Sequence, residues 1–292
     1  MILSEAEFHD ASTLEQAAEM IARWGKQARF LAGGTSLIVD LKTDRYGAGH
    51  VISLNRIAAL RGIASVDDRV RIGALATLNE VATSDVIREK CPVVRDAARE
   101  MASPQVRNLG TVGGNIVGAV PCADLPPVLA VSNATLNLWS PSGVRNMPIE
   151  AFFVGPRETV LRDDEVLTEV LVPHSPARFG AGYARFGLRE ANSVAVAAVA
   201  ASLQLKADGS VAQARVCLSA VAGKPTLVPD AHTALAGKVL DKNGLDRAAQ
   251  AAIAAALPIS DLRGSAEYRR ELVETLTRRA LLTAQARATG EK

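Results

Sequence analysis

The chain has 292 residues, of which 48% are hydrophobic and 22% charged, with a formal net charge of +2. This length allows two domains with a substantial core, while near-neutral charge and 4% aromatic residues give no support to a nucleic-acid partner. No secretory signal pattern opens the sequence and the longest apolar run, residues 194–203, is too short to span a bilayer, so we expect a cytoplasmic protein.

The first ~175 residues mix helix and strand patterns. The box Ser12-Thr13-Leu14-Glu15 predicts a helix that ends near Gly25, and Thr77-Leu78-Asn79-Glu80 predicts a second helix start. Pro92 is typical of a first helical position and begins a further helix. Strands are predicted at 29–31, 51–54, 69–72, 134–138 and 166–172, and another helix at 124–131.

The later part of the chain reads as a hairpin followed by helices. Pro173, Pro176 and Gly180 predict a turn-rich domain boundary. Beyond it, two apolar segments flank Asp208-Gly209, a strong hairpin signal, and alanine-rich helices are predicted at 246–256 and 267–288. The predicted fold class is therefore α+β, with two domains.

Two glycine pairs about eighty residues apart are the most informative motifs: Ala32-Gly33-Gly34-Thr35-Ser36-Leu37 and Thr111-Val112-Gly113-Gly114-Asn115. Glycine permits positive φ and close approach of the backbone to a ligand. Successive N–H groups in such turns form anion sites, and hydroxyl and amide side chains lie beside both pairs. Together the two loops predict a clamp for a ligand with two phosphates.

Other cofactor sites lack their patterns. The spacing GxGxxG of Rossmann nicotinamide sites and the sequence GxxxxGK[ST] of P-loop nucleotidases are both missing. Three scattered cysteines are too few to hold an iron–sulfur cluster, and the four histidines have no metal-ligand spacing, so no metal site is predicted. Arg107 is the only basic residue close to either glycine pair in sequence, which favours a permanently bound diphosphate cofactor over a transferred phosphate.

At these motifs the chain becomes recognisable. Leu31 to Leu37, followed by residues 108–115 and Asp124-Leu125, resembles the FAD-binding medium subunit of molybdenum hydroxylases, the xanthine dehydrogenase and carbon monoxide dehydrogenase family. The resemblance extends over essentially the full chain. It implies a two-part FAD-binding domain of the vanillyl-alcohol-oxidase type at 1–175, with parts at about 1–56 and 57–175, and a smaller α/β C-terminal domain at 177–290.

The resemblance also implies roles for individual residues. The first loop would bind the FAD diphosphate, and the second would pack on the cofactor from the other side. These residues are Ala32, Gly33, Gly34, Thr35, Ser36 and Leu37, then Thr111, Gly113, Gly114 and Asn115. Asp124 would hydrogen-bond sugar or ribityl hydroxyls, although a helix cap is the alternative from the residues alone. Leu167 and Tyr183 would lie near the isoalloxazine, although either could be an ordinary core residue.

The implied function is an electron-transfer flavoprotein subunit. A large molybdopterin subunit would hydroxylate substrate, and a small subunit with [2Fe-2S] clusters would pass electrons to FAD here and on to an external acceptor. The expected assembly is a dimer of heterotrimers, and no catalytic acid or base is assigned to this chain. Aldehydes, N-heterocycles, carbon monoxide and acyl-CoA all remain compatible as substrates.

Two alternatives stay open at this point. A stand-alone flavin oxidase of the same superfamily would oxidise its own substrate, although neither loop carries the His that often tethers such a flavin. An assembly module that has lost its cofactor would keep the fold without flavin, but the intact glycine motifs speak against it.

Overall fold

A computed structural model describes residues 6–43, 45, 47 and 49–291. Its N-terminal part is a parallel three-stranded sheet with two helices. The elements are β1 (Glu7–Asp10), α1 (Leu14–Trp24), β2 (Ala28–Leu31), α2 (Leu37–Lys42) and β3 (His50–Ser53). The strand order is β1-β3-β2. Thr13 caps α1 and Gly25 ends it, which confirms the predicted helix. The first glycine loop connects β2 to α2.

The next part of the chain contains a five-stranded antiparallel sheet, and the second glycine loop lies in the helical segment between two of its strands. Its strands are β4 (Ile63–Val66), β5 (Arg69–Gly73), β6 (Thr135–Ser140), β7 (Gly143–Pro148) and β10 (Val166–Pro173), in the order β4-β5-β10-β6-β7. Between β7 and β10, the short strands β8 (Phe153–Gly155) and β9 (Glu158–Thr159) form a separate pair. The helices between β5 and β6 are α3 (Leu78–Thr83), α4 (Asp85–Lys90), α5 (Pro92–Glu100), α6 (Pro104–Arg107), α7 (Val112–Val117) and α8 (Leu125–Val131). The predicted capping box of Thr77 and Glu80 is present at α3, and Pro92 begins α5 as predicted.

The C-terminal part is an antiparallel sheet with three helices. Its elements are β11 (Phe179–Gly187), β12 (Ala195–Leu205), β13 (Val211–Ser219), β14 (Thr226–Leu227), α9 (Pro229–Leu235), α10 (Lys242–Ala255) and α11 (Ala266–Thr289), with the four strands paired in chain order. The predicted hairpin at Asp208-Gly209 joins β12 to β13, with Gly209 at φ +85°. Among the described residues, no helix has both the length and the apolar character needed to cross a membrane.

The C-terminal sheet is buried on both faces, and this joins the two parts of the chain. Along β12, Ala198 and Ala200 belong to the core shared with α5 and α8, while Ala197 and Val199 belong to the core under α10 and α11. This alternation follows the two-residue period of a strand. Hydrogen bonds cross the same junction, from the Ser202 hydroxyl to the Val131 carbonyl at 2.9 Å and from the Ser219 hydroxyl to the Ala123 carbonyl at 3.0 Å.

One sequence interpretation is wrong in this region. Gly180 was expected to mark a turn, but it lies inside β11, as does Gly182. A Cβ added at Gly180 would lie 2.0 Å from the Ala284 carbonyl oxygen of α11, and one at Gly182 would lie 2.3 Å from that of Ala280. These glycines therefore let the long helix lie directly against the strand.

Candidate functional site

The two glycine loops contact each other, and glycine is required at different positions in them for different physical reasons. A Cβ at Gly33 would lie 1.8 Å from the Leu109 carbonyl oxygen, so the first loop rests on the chain just before the second. Gly34 has φ +76°, a left-handed conformation that side chains disfavour. Gly113 lies against Ala74 at the end of β5, where a Cβ would be 2.8 Å from the Ala74 oxygen. The motif residues thus fix the approach of one loop to the other.

Around this junction lie two open clefts and one smaller cavity. The first cleft, of about 400 Å³, and the second, of about 430 Å³, adjoin the first loop and share Ala32, Gly33, Gly34 and Thr111 in their walls. The cavity, of about 110 Å³, shares Ala32 and Gly114 with the first cleft and is lined by Gly113 and Leu167. Eleven of the thirteen predicted site residues line these spaces. The volumes of the two clefts lie in the range of cofactor sites, about 300–1,000 Å³. The eleven are Ala32, Gly33, Gly34, Thr35, Ser36, Leu37, Thr111, Gly113, Gly114, Asn115 and Leu167.

The first loop offers backbone donors to the first cleft. Within the part of the chain that the structure describes, the N–H groups of Thr35, Ser36 and Leu37 donate no hydrogen bond to another protein group. Helix α2 begins at this point, and the side chain of its N-cap residue Ser36 makes no capping bond. Unsatisfied N–H groups at a helix start are well suited to an anion. This part of the predicted clamp has the geometry that a phosphate needs.

The second loop differs from the expectation that both loops present free N–H groups. Gly113 donates to the Ala74 carbonyl at 2.8 Å, Gly114 to the Thr111 hydroxyl oxygen at 3.1 Å, and Asn115 to the Thr111 carbonyl at 3.0 Å. Helix α7 begins here and Thr111 caps it, so these donors are already used. The second loop therefore contributes shape and side chains, whereas the first contributes backbone N–H groups.

Asn115 carries an unexplained polar atom at this site. Its Oδ1 is buried and has no hydrogen-bond partner, and the residue lines the first cleft. A buried amide oxygen without a donor costs free energy, on the order of 1–3 kcal/mol. A ligand hydroxyl or amide in the cleft would remove that cost. This atom is consistent with a bound polar cofactor.

An ion pair that sequence reasoning missed crosses the first cleft. Arg157 Nη1 donates to Asp40 Oδ2 at 2.9 Å, and both residues line the cleft. Arg157 follows β8 with φ +62°, whereas Asp40 is a buried residue of α2. The two are 117 residues apart, and no motif connects them. The pair holds α2 against the five-stranded part of the molecule.

The basic side chains that line the first cleft differ from the one that the sequence suggested. Arg107, the basic residue singled out from the sequence, donates to the Met101 carbonyl at 2.7 Å and does not line any of these three spaces. Arg29 and Arg157 line the first cleft instead. Arg29 was overlooked although it directly precedes Phe30 in the predicted strand, where alternation could have placed it at the site. Asp40 is the acidic residue among the described residues that line the same cleft.

Asp124 and Tyr183 lie away from these spaces and bind each other. The Tyr183 hydroxyl donates to Asp124 Oδ1 at 2.5 Å, and Arg185 Nε lies 3.5 Å from the same oxygen. Burial raises the pKa of the Asp124 carboxyl, partly offset by Arg185 and the Tyr183 hydroxyl. Burial likewise raises the pKa of Tyr183 well above 10, and the Asp124 charge adds to the rise. The Asp124 side chain does not cap α8, so the capping alternative is excluded. Its predicted contact with cofactor hydroxyls stays a prediction.

Leu167 closes the small cavity from β10. It is 4% exposed and lies beside Leu161, Glu165 and Val166. Glu165 accepts from both Arg145 and the Arg162 N–H, at 2.8 Å in each case, and the hydrogen bond from Arg145 lowers the pKa of this buried carboxyl. The cavity wall is therefore mostly apolar, with one carboxylate, that of Glu165, among its lining residues.

Comparison with known families agrees with this architecture. Residues 4–175 match the family described as the FAD binding domain in molybdopterin dehydrogenase. Residues 183–284 match the CO dehydrogenase flavoprotein C-terminal domain. The first match alone covers more than half of the chain.

Individual relatives extend over the whole length. The medium chain of carbon monoxide dehydrogenase from Hydrogenophaga pseudoflava is 34% identical over 287 residues, covering 98% of this chain and 99% of that one. The xanthine dehydrogenase FAD-binding subunit of Escherichia coli O157:H7 is 30% identical over 290 residues, with 98% of each chain covered.

The fold agrees with solved structures of such proteins. The Hydrogenophaga pseudoflava carbon monoxide dehydrogenase chain superposes with a TM-score of 0.95 at 35% identity, covering 98% of this chain and 99% of that one. A chain of quinoline 2-oxidoreductase from Pseudomonas putida 86 gives a TM-score of 0.92 at 28% identity, with 100% and 99% covered. The chain therefore belongs to the xanthine dehydrogenase and carbon monoxide dehydrogenase family, as an oxidoreductase flavoprotein subunit that carries the FAD-binding domain.

Proposed function

We propose that this chain is the electron-transfer subunit of a molybdenum-containing hydroxylase or dehydrogenase. Electrons would arrive from the [2Fe-2S] clusters of a small partner subunit and leave to an external acceptor. A large molybdopterin subunit would carry out the reaction on substrate, in a dimer of heterotrimers. The relatives named above are medium chains and FAD-binding subunits of such dehydrogenases, which supports this role.

The observation that carries the proposal is the pairing of the two glycine loops around a cleft with free donors. FAD, when bound, supplies reversible electron uptake and release, which none of this chain's own side chains needs to perform. The N–H groups of Thr35, Ser36 and Leu37 would hold one side of the diphosphate. Arg29 and Arg157 would add positive charge from the cleft wall. Thr111 and Asn115 would donate and accept hydrogen bonds from the opposite loop.

The small cavity beside Leu167 has a separate role in this proposal. Gly113, Gly114 and Leu167 line it together with Leu75 and Val166. A flat ring system placed there would be shielded from water on the side of β10. We assign no proton transfer to any residue of this chain.

We also propose a division of the chain near residue 176. The FAD-binding domain would comprise 1–175, with parts at about 1–56 and 57–175, and the C-terminal domain would comprise 177–290. The three-stranded and five-stranded sheets both end before this point, and the four-stranded sheet begins at Phe179. Asp124 and Tyr183 would then join the two domains through one buried hydrogen bond.

Spectroscopy of the full chain, alone and with its partners, tests the function. We expect one FAD per chain, and reduction of that flavin by substrate only in the complex with both partner subunits. Reduction by an organic substrate in the isolated chain would instead indicate a stand-alone oxidase. A colourless chain that takes up no FAD would indicate an assembly module and contradict the proposal.

A further inference from the structure

A cluster of two histidines and a glutamate lies on the N-terminal sheet and has no part in the function proposed above. His9 and Glu7 lie two residues apart on β1, and His50 begins β3, the neighbouring parallel strand. The strand register places Glu7 directly opposite His50. His9 and His50 are only partly buried, with 22% and 18% of their side chains exposed, and Glu7 is 73% exposed. A dissolved ion can therefore reach all three.

The three ligand atoms form a triangle of suitable size. His9 Nε2 and His50 Nδ1 are 3.1 Å apart, and Glu7 Oε2 lies 3.7 Å from the first and 3.5 Å from the second. The circle through the three atoms has a radius of ~2.0 Å. An ion with zinc bonds of ~2.1 Å to imidazole nitrogen and carboxylate oxygen would therefore lie slightly out of their plane, as a tetrahedral shell requires. No rearrangement of the backbone is needed to place an ion there.

A hydrogen bond between the two rings explains only part of this geometry. One proton shared between His9 and His50 accounts for their 3.1 Å separation. It leaves the Glu7 oxygen, at 3.5 and 3.7 Å, outside the usual hydrogen-bond range of both nitrogens. A cation between the three atoms is compatible with all three distances.

The histidine rings are held in place by Trp24 at the end of α1. Its ring stacks on His9 and on His50 with centroid distances of 4.3 Å in both cases. Stacking from one side fixes both ring planes and excludes water from that side. Because the two imidazoles are already oriented, their part in binding costs little conformational entropy.

We propose that Glu7, His9 and His50 form a zinc site in which water completes a four-coordinate shell. Two imidazoles and one carboxylate are a ligand set that suits Zn²⁺, a borderline-soft ion that prefers tetrahedral geometry. The bound ion ties the edge strand β1 to the central strand β3 of its sheet. The site stabilises the N-terminal part of the fold and takes no part in electron transfer.

Calorimetric titration of the full chain, stripped of metal and then given zinc chloride, tests this site. We expect one zinc per chain, and an affinity at least ~10-fold lower in His9→Gln and in His50→Gln. His174→Gln is the matched control, because the His174 ring lies just beyond the end of β10 and bonds to the Ser65 hydroxyl, away from Glu7, His9 and His50. The zinc affinity of this variant should equal that of the wild type. Zinc should raise the unfolding temperature of the wild type and of this control, but not of the other two variants.

Two further measurements guard against misfolded variants. Glu7→Gln alters an exposed side chain and should weaken zinc binding while circular dichroism stays unchanged. Copper(II), used as a paramagnetic probe, should quench the fluorescence of Trp24 in a Trp139→Phe background, because the ion would lie beside the stacked indole. Zinc affinity unchanged in all three ligand variants, or no zinc binding by the wild type, would overturn the proposal.

Discussion

The contact between the two glycine loops can be tested with a single methyl group. In Gly33→Ala, the new Cβ would lie 1.8 Å from the Leu109 carbonyl oxygen and 2.6 Å from the Leu109 carbonyl carbon. Both neighbours are backbone atoms, so no side chain can rotate away. Ordinary contact begins at 3.4 Å, and the loops must therefore separate by about 1.6 Å.

This separation should weaken FAD binding more than it weakens the fold. Moving the first loop displaces the N–H groups of Thr35 and Ser36 relative to Thr111 and Asn115 in the opposite wall. Overpacking of this kind costs about 1–3 kcal/mol. The free chain can relieve the clash by letting the loops separate, whereas bound FAD needs the loops at their present spacing. The cost therefore falls on the bound state, and the dissociation constant for FAD rises about 5- to 150-fold.

Flavin fluorescence titration of the metal-free, deflavinated chain measures this constant. Gly223→Ala is a matched control, because its Cβ would meet only Pro156, at 3.4 Å, and its φ is not positive. The control should bind FAD as the wild type does. Affinity of Gly33→Ala within twofold of the wild type, with a native unfolding temperature, would refute the idea that the loop contact shapes the cofactor site.

Two other sets of variants test the electrostatics. Arg157→Ala should weaken FAD binding about two- to fivefold, and Asp40→Asn should strengthen it by a similar factor. Both variants break the same ion pair, in which Arg157 is partly exposed and Asp40 is buried, and both effects should shrink as salt rises in the titrations. Changes of the same sign in both would mean that the pair acts through structure alone. The pKa of Asp124 is raised by burial, so its stabilising effect is complete below its ordinary pKa of 3.8 and is lost as pH rises through the folded value. In urea denaturation, Asp124→Asn should therefore gain stability relative to the wild type as the pH rises above about 4. The pKa of Glu165 is lowered by its bond from Arg145, so its stabilisation is present above 4.5 and lost as pH falls. Glu165→Gln should therefore be least stable relative to the wild type at neutral pH, and a pH-independent difference in either variant would contradict the burial and pairing described.

Much of the fold follows from local signals in the sequence. The helix start at Thr13, the capping box at Thr77, the proline at the start of α5 and the Asp208-Gly209 hairpin depend on a few neighbouring residues, and each is found where it was predicted. At α1 the structure has a cap by the Thr13 side chain on the Gln16 N–H in place of the predicted box of Ser12 and Glu15. Strand β11 was not predicted, because Gly180 and Gly182 are poor strand formers on local grounds. Glycine is needed at these two positions because of tertiary packing, since only glycine leaves room for α11 against that strand.

The parts of the candidate site that are formed by sequence motifs could be predicted. The glycine loops could be found because close backbone contact leaves a residue-specific signature. The pairs Arg157–Asp40 and His9–His50 have no such signature in the sequence. Their members are 117 and 41 positions apart, respectively, and only the fold brings them together. The use of the second loop's N–H groups by Ala74 and Thr111 was equally invisible, since it depends on where β5 ends.

A crystal structure of the full chain loaded with FAD tests the central claim most directly. We expect the diphosphate between the first loop, at Thr35 to Leu37, and the second, at Thr111 to Asn115, with the flavin ring toward Leu167. Electron density for FAD elsewhere on the molecule, with this cleft filled only by water, would contradict the account.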